Sequence, residues 1–279
     1  MVPIRIIPRL EIKNGFLIKG INFEGLRILG DPSAFVKCYF DKGADEISYI
    51  DVVASLYGTN NLSKFITETV KNIFIPITVG GGIRDIKAIE KFLYSGADKV
   101  SINSAIVKNL SFLKKAVKRF GSSTINCSIE SIKFENKYYV STENGRNMTS
   151  LNPVDWFKRL QDFGAGEITI SSINSEGLQN GFDLELYEKI SKFTKIPIIA
   201  HGGAGNFKHV YDVIRSSNIS GVSLSSLLHY DALNFIKSKT KQKKIGNYFF
   251  LKNFQKKKFN NNLVKLKKFL KRNKICVRL

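Results

Sequence analysis

Cysteine is scarce in this chain. Cys38, Cys127 and Cys276 are the three among 279 residues, and none stands at the spacing of a metal or redox pair. That usage suits a reducing compartment, and a cytoplasmic protein is expected. No apolar run approaches the ~18 residues of a membrane span. The opening stretch MVPIRIIPRLEIK lacks a signal-peptide layout and reads as a strand. His201, His209 and His229 lack metal-ligand spacing, and no Ser/His/Asp or Cys/His arrangement is apparent. No metal and no cofactor is therefore expected.

Acidic residues are missing from one region. Lys237 to Leu279 holds 16 Lys or Arg and no Asp or Glu, which accounts for most of the net charge of +21 and leaves a body near +5. A basic tail can meet nucleic acid or an anionic surface. It can equally be a solvated helical face in a lysine-rich composition, and the abundance of Asn and Ile throughout favours that. Phe249, Phe250, Phe254 and Phe259 interleave with the lysines, a pattern that fits base stacking or packing on the body.

What the sequence does have is a repeat. Pro76–Ser104, PITVGGGIRDIKAIEKFLYSGADKVSINS, is a strand, three glycines, a helical pattern and a second strand. Glycines at that turn let backbone N–H groups approach an anion, and the next helix adds its positive end. The design returns 121 residues later in IPIIAHGGAGNFKHVYDVIRSSNISGVSLSS, with Gly203 for Gly82 and Ser225 near the place of Asn103. Gly43–Ile47 likewise matches Gly164–Ile168, and strands ending in Glu11 and Glu130 precede them.

Eight strands are expected near Arg5–Leu10, Ile47–Asp51, Ile75–Val79, Lys99–Ile102, Thr124–Ile129, Glu167–Ser171, Ile196–Ala200 and Gly221–Leu224. Each is followed by a helical pattern, the last at Tyr230–Lys239. Eight β–α units imply a parallel sheet, and the internal repeat favours an α/β (β/α)8 barrel of two similar half-barrels over an open doubly wound sheet. The barrel is assigned to residues 1–236 and a basic C-terminal extension with a terminal helix to 237–279. Lys13–Gly30 reads as a long loop after strand one, and Lys133–Thr142 as a hairpin turning at Asn136-Lys137. Both lie at carboxyl ends of strands, where barrels carry their sites.

Barrel closure sets Glu11 and Glu130 on opposite walls of one mouth. Paired carboxylates suit acid/base work when their environments separate their proton affinities. Two glycine-and-hydroxyl cups, Gly82 with Asn103–Ser104 and Gly203 with Ser225–Ser226, suit a substrate with a phosphate at each end. One functional cup with a vestigial twin is the alternative.

In these motifs the chain resembles the cyclase subunit of imidazole glycerol phosphate synthase, a (β/α)8 barrel of histidine biosynthesis. The likeness runs from Arg5 to about Asp231 and returns in LKKFLKRNKICVRL. It is carried by the ordered set KGINF, GDP, GADE, PITVGGGIR, GADKVSINS, FGS, GAGEI, GFDLEL and GGAGN. The resemblance implies a glutaminase partner and ammonia passing up the barrel. The substrate it implies is a bis-phosphorylated ribulosyl aminoimidazole-carboxamide nucleotide. It puts catalysis on Glu11 and Glu130, an ammonia gate on Arg5, Glu46, Lys99 and Glu167, a flexible-loop lysine on Lys19, and phosphate or substrate contacts on Asp51, Gly82, Asn103, Gly177, Gly203 and Ser225.

The sequence departs from the family at several places. Both catalytic positions carry Glu where the family has Asp, so activity is expected to be weakened. Asn174 and Glu176 stand where the family has two aspartates, and Lys241–Asn262 has no recognised counterpart. Ser141–Gly145 is similar to diverged copies that partner sugar amidotransferases in surface-polysaccharide synthesis. That role, an inactive scaffold and a nucleic-acid binder acting through the tail remain the alternatives.

Overall fold

The computed structural model describes residues 2–54, 62–239 and 262–279. Its first half runs β1 (Arg5–Lys13), β2 (Phe16–Ile21), β3 (Glu24–Gly30), α1 (Pro32–Asp41), β4 (Ile47–Asp51), α2 (Leu62–Thr69), β5 (Ile77–Gly80), α3 (Ile86–Tyr94), β6 (Lys99–Ile102), α4 (Ser104–Lys108) and α5 (Ser111–Phe120). The second half runs β7 (Ile125–Phe134), β8 (Lys137–Thr142), β9 (Asn147–Met148), α6 (Pro153–Asp162), β10 (Glu167–Ser172), α7 (Leu184–Ser191), β11 (Ile198–His201), α8 (Phe207–Ser216), β12 (Gly221–Leu224), α9 (Ser226–Lys239) and α10 (Leu263–Arg272).

Strands β1, β4, β5, β6, β7, β10, β11 and β12 pair parallel in that order, and β12 pairs back onto β1. The expected barrel is therefore closed. Side chains alternate across each strand, so one set faces the helices and the other the lumen. Ile6, Leu10, Ile47, Tyr49, Val100, Cys127, Ile129, Ile168, Ile170 and Val222 belong to the continuous apolar core between sheet and helices. The lumen side is lined instead by Ile7, Arg9, Ser48, Thr78, Ser101, Asn126, Thr169 and Ser223. Barrel interiors are commonly filled by branched apolar layers, and a polar lumen costs stability unless its groups are paired.

The two halves repeat in their caps as well as their strands. Asp31 accepts a hydrogen bond from the Ser33 N–H, and Asn152 accepts from Val154 and Asp155, each ahead of a first-turn proline. Asp85 caps α3 through the Ala88 N–H, and Asn206 caps α8 through His209. Each such cap contributes about 1 kcal/mol.

The segment Lys13–Gly30 is not the loop expected. It continues β1 into the antiparallel pair β2–β3, turning at Asn14-Gly15 with φ of 50° and 80°. That Asn-Gly pair is a two-residue hairpin turn, since both residues accept positive φ. The second hairpin is present, but it turns at Glu135-Asn136, one residue earlier than expected. The helix after the last barrel strand begins at Ser226 rather than Tyr230, and the strands expected from Ile75 and Ile196 begin at Ile77 and Ile198. Phe249, Phe250, Phe254 and Phe259 lie outside the described residues. No helix among the described residues is long and apolar enough to cross a membrane.

The terminal helix α10 is built into the barrel wall. Leu263, Leu266 and Leu270 join the main core, and Phe269 packs on Phe207 and Tyr211 of α8 with ring centroids 5.8 and 6.5 Å apart. Lys267 is buried and donates to the Asp45 carboxylate at 2.8 Å and to the Gly43 carbonyl at 2.6 Å. Asp45 in turn accepts from the Ile6 N–H at 2.8 Å, which ties helix, turn and first strand together. Breaking a buried pair from one side strands the other charge. Lys267→Met is therefore expected to lower unfolding free energy by about 3 kcal/mol, measured by urea denaturation, while Lys268→Met on the exposed face stays within about 0.5 kcal/mol.

Candidate active site

The carboxyl ends of the barrel strands form a cavity of about 430 Å³ lined by Arg9, Asp51, Gly82, Asn103, Ser104 and Glu130, among others. Both glutamates singled out in the sequence lie at the carboxyl ends of their strands and both are buried, Glu11 at 2 % and Glu130 at 8 % exposure. Glu130 lines this cavity, whereas Glu11, two residues beyond the lining Arg9 on β1, does not. Glu11 lies on β1 and Glu130 on β7, and each extends beyond its barrel strand into an antiparallel ladder that fixes its backbone.

Their surroundings differ in charge. Burial pushes the Glu11 carboxyl up, but Lys19 and then Arg9 outweigh it and lower the pKa to about 2. The Lys19 ammonium donates to Glu11 Oε2 at 3.2 Å, and Arg9 Nε stands 3.5 Å from Glu11 Oε1. Glu130 faces no cation at salt-bridge distance among the described residues. It accepts the Gly145 N–H at 2.9 Å, and burial raises its pKa to about 7, against the weaker pull of that N–H and of Arg9. One carboxylate is thus fixed as an anion, while its partner holds or releases a proton near neutrality.

Lys19 reaches the mouth from β2. It is buried between Glu11 and Glu176, donating to both, and its pKa is raised: the two carboxylates outweigh the opposing effect of burial. The hairpin is tied down by Asn22, whose N–H donates to the Glu176 carbonyl at 2.9 Å and whose side chain donates to the Ile173 carbonyl at 2.6 Å. His201, at the end of β11, lies under this cluster. Burial and Arg9 lower its pKa to about 3, so its ring is neutral.

The two cups are present but unequal. Gly82, at φ 67°, opens into the large cavity beside Asn103 and Ser104. A Cβ at Gly82 would meet the Ala54 Cβ at 2.7 Å, so the turn admits only glycine. The second cup, lined by Gly177, Gly203 and Ser225, leaves only about 10 Å³. A Cβ at Gly203 would meet the Gly181 carbonyl at 1.9 Å, and Ser225 Oγ donates to the Arg9 carbonyl at 3.0 Å. Asp51 lines the open cavity and accepts from the Val53 and Ala54 N–H groups at 3.1 and 2.9 Å. Burial raises its pKa.

At the opposite end, Arg5, Glu46, Lys99 and Glu167 meet as a ring. Arg5 and Lys99 each bridge both glutamates, with Arg5–Glu46 at 3.0 Å, Lys99–Glu46 at 3.0 Å and Lys99–Glu167 at 3.3 Å. Thr78 and Asn126 supply further hydrogen bonds at 2.5 and 2.9 Å. Above the ring the lumen retains a space of about 10 Å³ reaching Arg9, close to the smallest volume that holds a water.

Arg9 and His201 were not picked out as site residues from the sequence. Arg9 was detectable, since β1 alternates Arg5, Ile7, Arg9, Glu11 on one face, which puts Arg9 in the lumen next to Glu11. Asn174, noted in the sequence, bonds the Lys133 backbone at 2.6 and 3.2 Å and pins the start of the second hairpin.

Glu130 gives a pH-dependent stability with a definite sign. Its folded pKa of about 7 lies above the ordinary value of 4.5, so the folded state holds the proton more tightly. The resulting stabilisation is complete below 4.5 and is lost as pH rises through about 7. The shift corresponds to on the order of 3 kcal/mol. Urea unfolding of wild type and Glu130→Gln across this range is expected to show the wild type losing that amount relative to the variant. Parallel curves would contradict the assignment.

The comparisons with known proteins agree with this geometry. The family model described as "Histidine biosynthesis protein" matches residues 5–234. The chain is 48 % identical over 209 residues to "Imidazole glycerol phosphate synthase subunit HisF" of Legionella pneumophila, covering 75 % of this chain and 99 % of that protein. It is 40 % identical over 231 residues to the protein of the same name from Bacillus cereus (strain Q1), covering 82 % and 92 %. With the one from Prochlorococcus marinus (strain AS9601) it shares 39 % over 243 residues, covering 86 % and 95 %. A polar-lumened eightfold barrel with two buried mouth carboxylates and matches of this extent have one assignment: the chain belongs to the histidine biosynthesis protein family, among the HisF subunits of imidazole glycerol phosphate synthase.

Proposed function

We propose that the chain is a cytoplasmic cyclase subunit. It takes ammonia from a glutaminase partner and converts the bis-phosphorylated ribulosyl aminoimidazole-carboxamide nucleotide to imidazole glycerol phosphate and the aminoimidazole carboxamide ribotide. The observation that carries this reading is the unlike setting of two buried carboxyls at the carboxyl ends of the barrel strands. Glu11 is paired with Lys19 and Arg9, which holds its pKa down. Glu130 accepts the Gly145 N–H with no cation at salt-bridge distance among the described residues, and burial raises its pKa. Ammonia addition to the nucleotide's carbonyl with loss of water, and ring closure with cleavage of the C–N bond that releases the aminoimidazole carboxamide ribotide as a protonated amine, each move protons. A group titrating near neutrality can give and take them, which is the role of Glu130. Glu11 stays ionised and stabilises positive charge that develops on the attacking nitrogen. Gly82 with Asn103 and Ser104 holds one phosphate. Gly177, Gly203 and Ser225 hold the other once the hairpin bearing Lys19 lifts.

The ring of Arg5, Glu46, Lys99 and Glu167 supports a partner at the amino-terminal face. Four charges at a barrel floor are costly to desolvate without use. The polar lumen above them suits ammonia.

The longer glutamates are expected to slow turnover relative to an aspartate pair. The single change Glu11→Asp is not expected to recover it. Arg9 and Lys19 are placed for the longer side chain, and withdrawing the carboxylate by about 1.5 Å costs on the order of 100-fold. The test supplies ammonium salts and the nucleotide to the purified full chain, so that no partner is needed. Imidazole glycerol phosphate should form with a rate limb near pH 7 that Glu130→Gln abolishes. Absence of product from the folded wild type would overturn the assignment.

A further inference from the structure

Glu11, Glu176 and His201 come from three separate places in the chain: the end of β1, the turn after β10 and the end of β11. One ligand atom from each lies within 4.8 Å of the other two. All three side chains are buried, at 2 %, 1 % and 1 % exposure. Each also has one polar atom with no hydrogen-bond partner: Glu11 Oε1, which Arg9 Nε approaches to 3.5 Å as an ion pair without a hydrogen bond, Glu176 Oε2 and His201 Nε2. Buried polar atoms are ordinarily satisfied, so three orphans in one cluster require a reason.

The histidine is oriented as a ligand. Its Nδ1 stands 3.0 Å from the Ser223 carbonyl, which only accepts, so Nδ1 carries the hydrogen. Nε2 is left with a lone pair, 3.9 Å from Glu11 Oε1. Two electron-rich atoms thus face each other with no proton between them. The Tyr187 hydroxyl donates to the His201 carbonyl at 2.5 Å and lies 3.1 Å from its N–H, which holds the backbone in place. A ring nitrogen bonded to a carbonyl while the other points at carboxylates is the usual outer support of a metal-binding imidazole.

A cation is already near this position. The Lys19 ammonium donates to Glu11 Oε2 and to Glu176 Oε1, the oxygens that are not orphaned. It satisfies one side of each carboxylate and leaves His201 unserved.

We propose that Glu11, Glu176 and His201 form a binding site for one divalent transition-metal cation of the zinc class, occupied in competition with the Lys19 ammonium. One imidazole nitrogen with two carboxylate oxygens is a mixed set suited to such ions, leaving a fourth position open. Bonds of about 2.0–2.1 Å put tetrahedral ligand atoms about 3.4 Å apart, so the cluster must contract by roughly 1 Å. Lys19 leaves by turning its flexible stem away, or with the hairpin that carries it. Arg9 stays beside Glu11 and opposes the ion, which keeps affinity moderate. An ion bound here occupies Glu11 and holds the mouth in a non-productive state. That consequence, unlike the binding itself, rests on the cyclase assignment.

The test titrates the chelator-treated full chain with Co²⁺ and Zn²⁺ alone, followed by calorimetry and by the visible absorption of Co²⁺. One ion per chain is expected. Lys19→Met, which removes the competitor, should tighten binding about tenfold, and His201→Ala should weaken it by roughly tenfold or more. Co²⁺ should raise the unfolding temperature of wild type and Lys19→Met but not of His201→Ala. No binding by wild type and Lys19→Met overturns the proposal. So does binding that His201→Ala leaves unchanged, which would assign the ion to His209 or the cysteines. Zn²⁺ should also inhibit ammonium-dependent turnover, reversibly with chelator. A chain without turnover that still shows the three binding outcomes fails only the cyclase assignment.

Discussion

A closed ring of parallel strands has no edge, and every second residue of every strand must face inward. In this chain that constraint collects chemistry along one axis. Arg5, Glu46, Lys99 and Glu167 stand at one end of the lumen, Ser48, Thr78, Asn126 and Thr169 line it, and Glu11, Glu130 and His201 stand at the other. The apolar alternates, such as Leu10, Tyr49, Val100 and Ile170, lie in the continuous core against the helices. The core that stabilises the barrel and the polar path along its lumen are therefore opposite faces of the same strands. A register slip of one residue would exchange them.

Electrostatics at the mouth follow from where the cations can reach. Lys19 and Arg9 both approach β1 and hold Glu11 ionised, while β7 presents Glu130 to a backbone N–H. Two residues of one type, at nearly corresponding positions of two similar half-barrels, thus become different acids. Lys19 depends on the hairpin grown out of β1, so the insertion that interrupts the β–α alternation is also what breaks the symmetry of the site. The charged floor is built the other way, with two cations shared evenly between two carboxylates.

Much of this was legible in the sequence, because strand and cap chemistry are local. Asp31-Pro32 and Asn152-Pro153 marked helix starts that the structure repeats, and the internal repeat pairs Gly82 with Gly203, 121 residues apart, and Glu11 with Glu130, 119 apart. The hairpin at Lys13–Gly30 was missed although Asn14-Gly15 announced its turn. Its β2–β3 ladder has two register shifts, and its far turn carries positive φ at Asn22 and Phe23, so no clean alternation survives in the sequence. The grouping of His201 with Glu11 and Glu176 was not legible. Ligand spacing along a chain says nothing about residues that only barrel closure brings together. Arg9 is a different case, since its alternation with Glu11 was present in the text of β1.

Glu11 and Glu130 differ in proton affinity because only Glu11 has cations at salt-bridge distance among the described residues. Carboxyl ¹³C chemical shifts of glutamate-labelled full-length protein, followed against pH and assigned by Glu11→Gln and Glu130→Gln, measure this directly. The account predicts a Glu130 midpoint of about 7 and a Glu11 signal that stays that of an ionised carboxylate down to a pKa of about 2. Two midpoints lying together in the ordinary carboxylate range would contradict it.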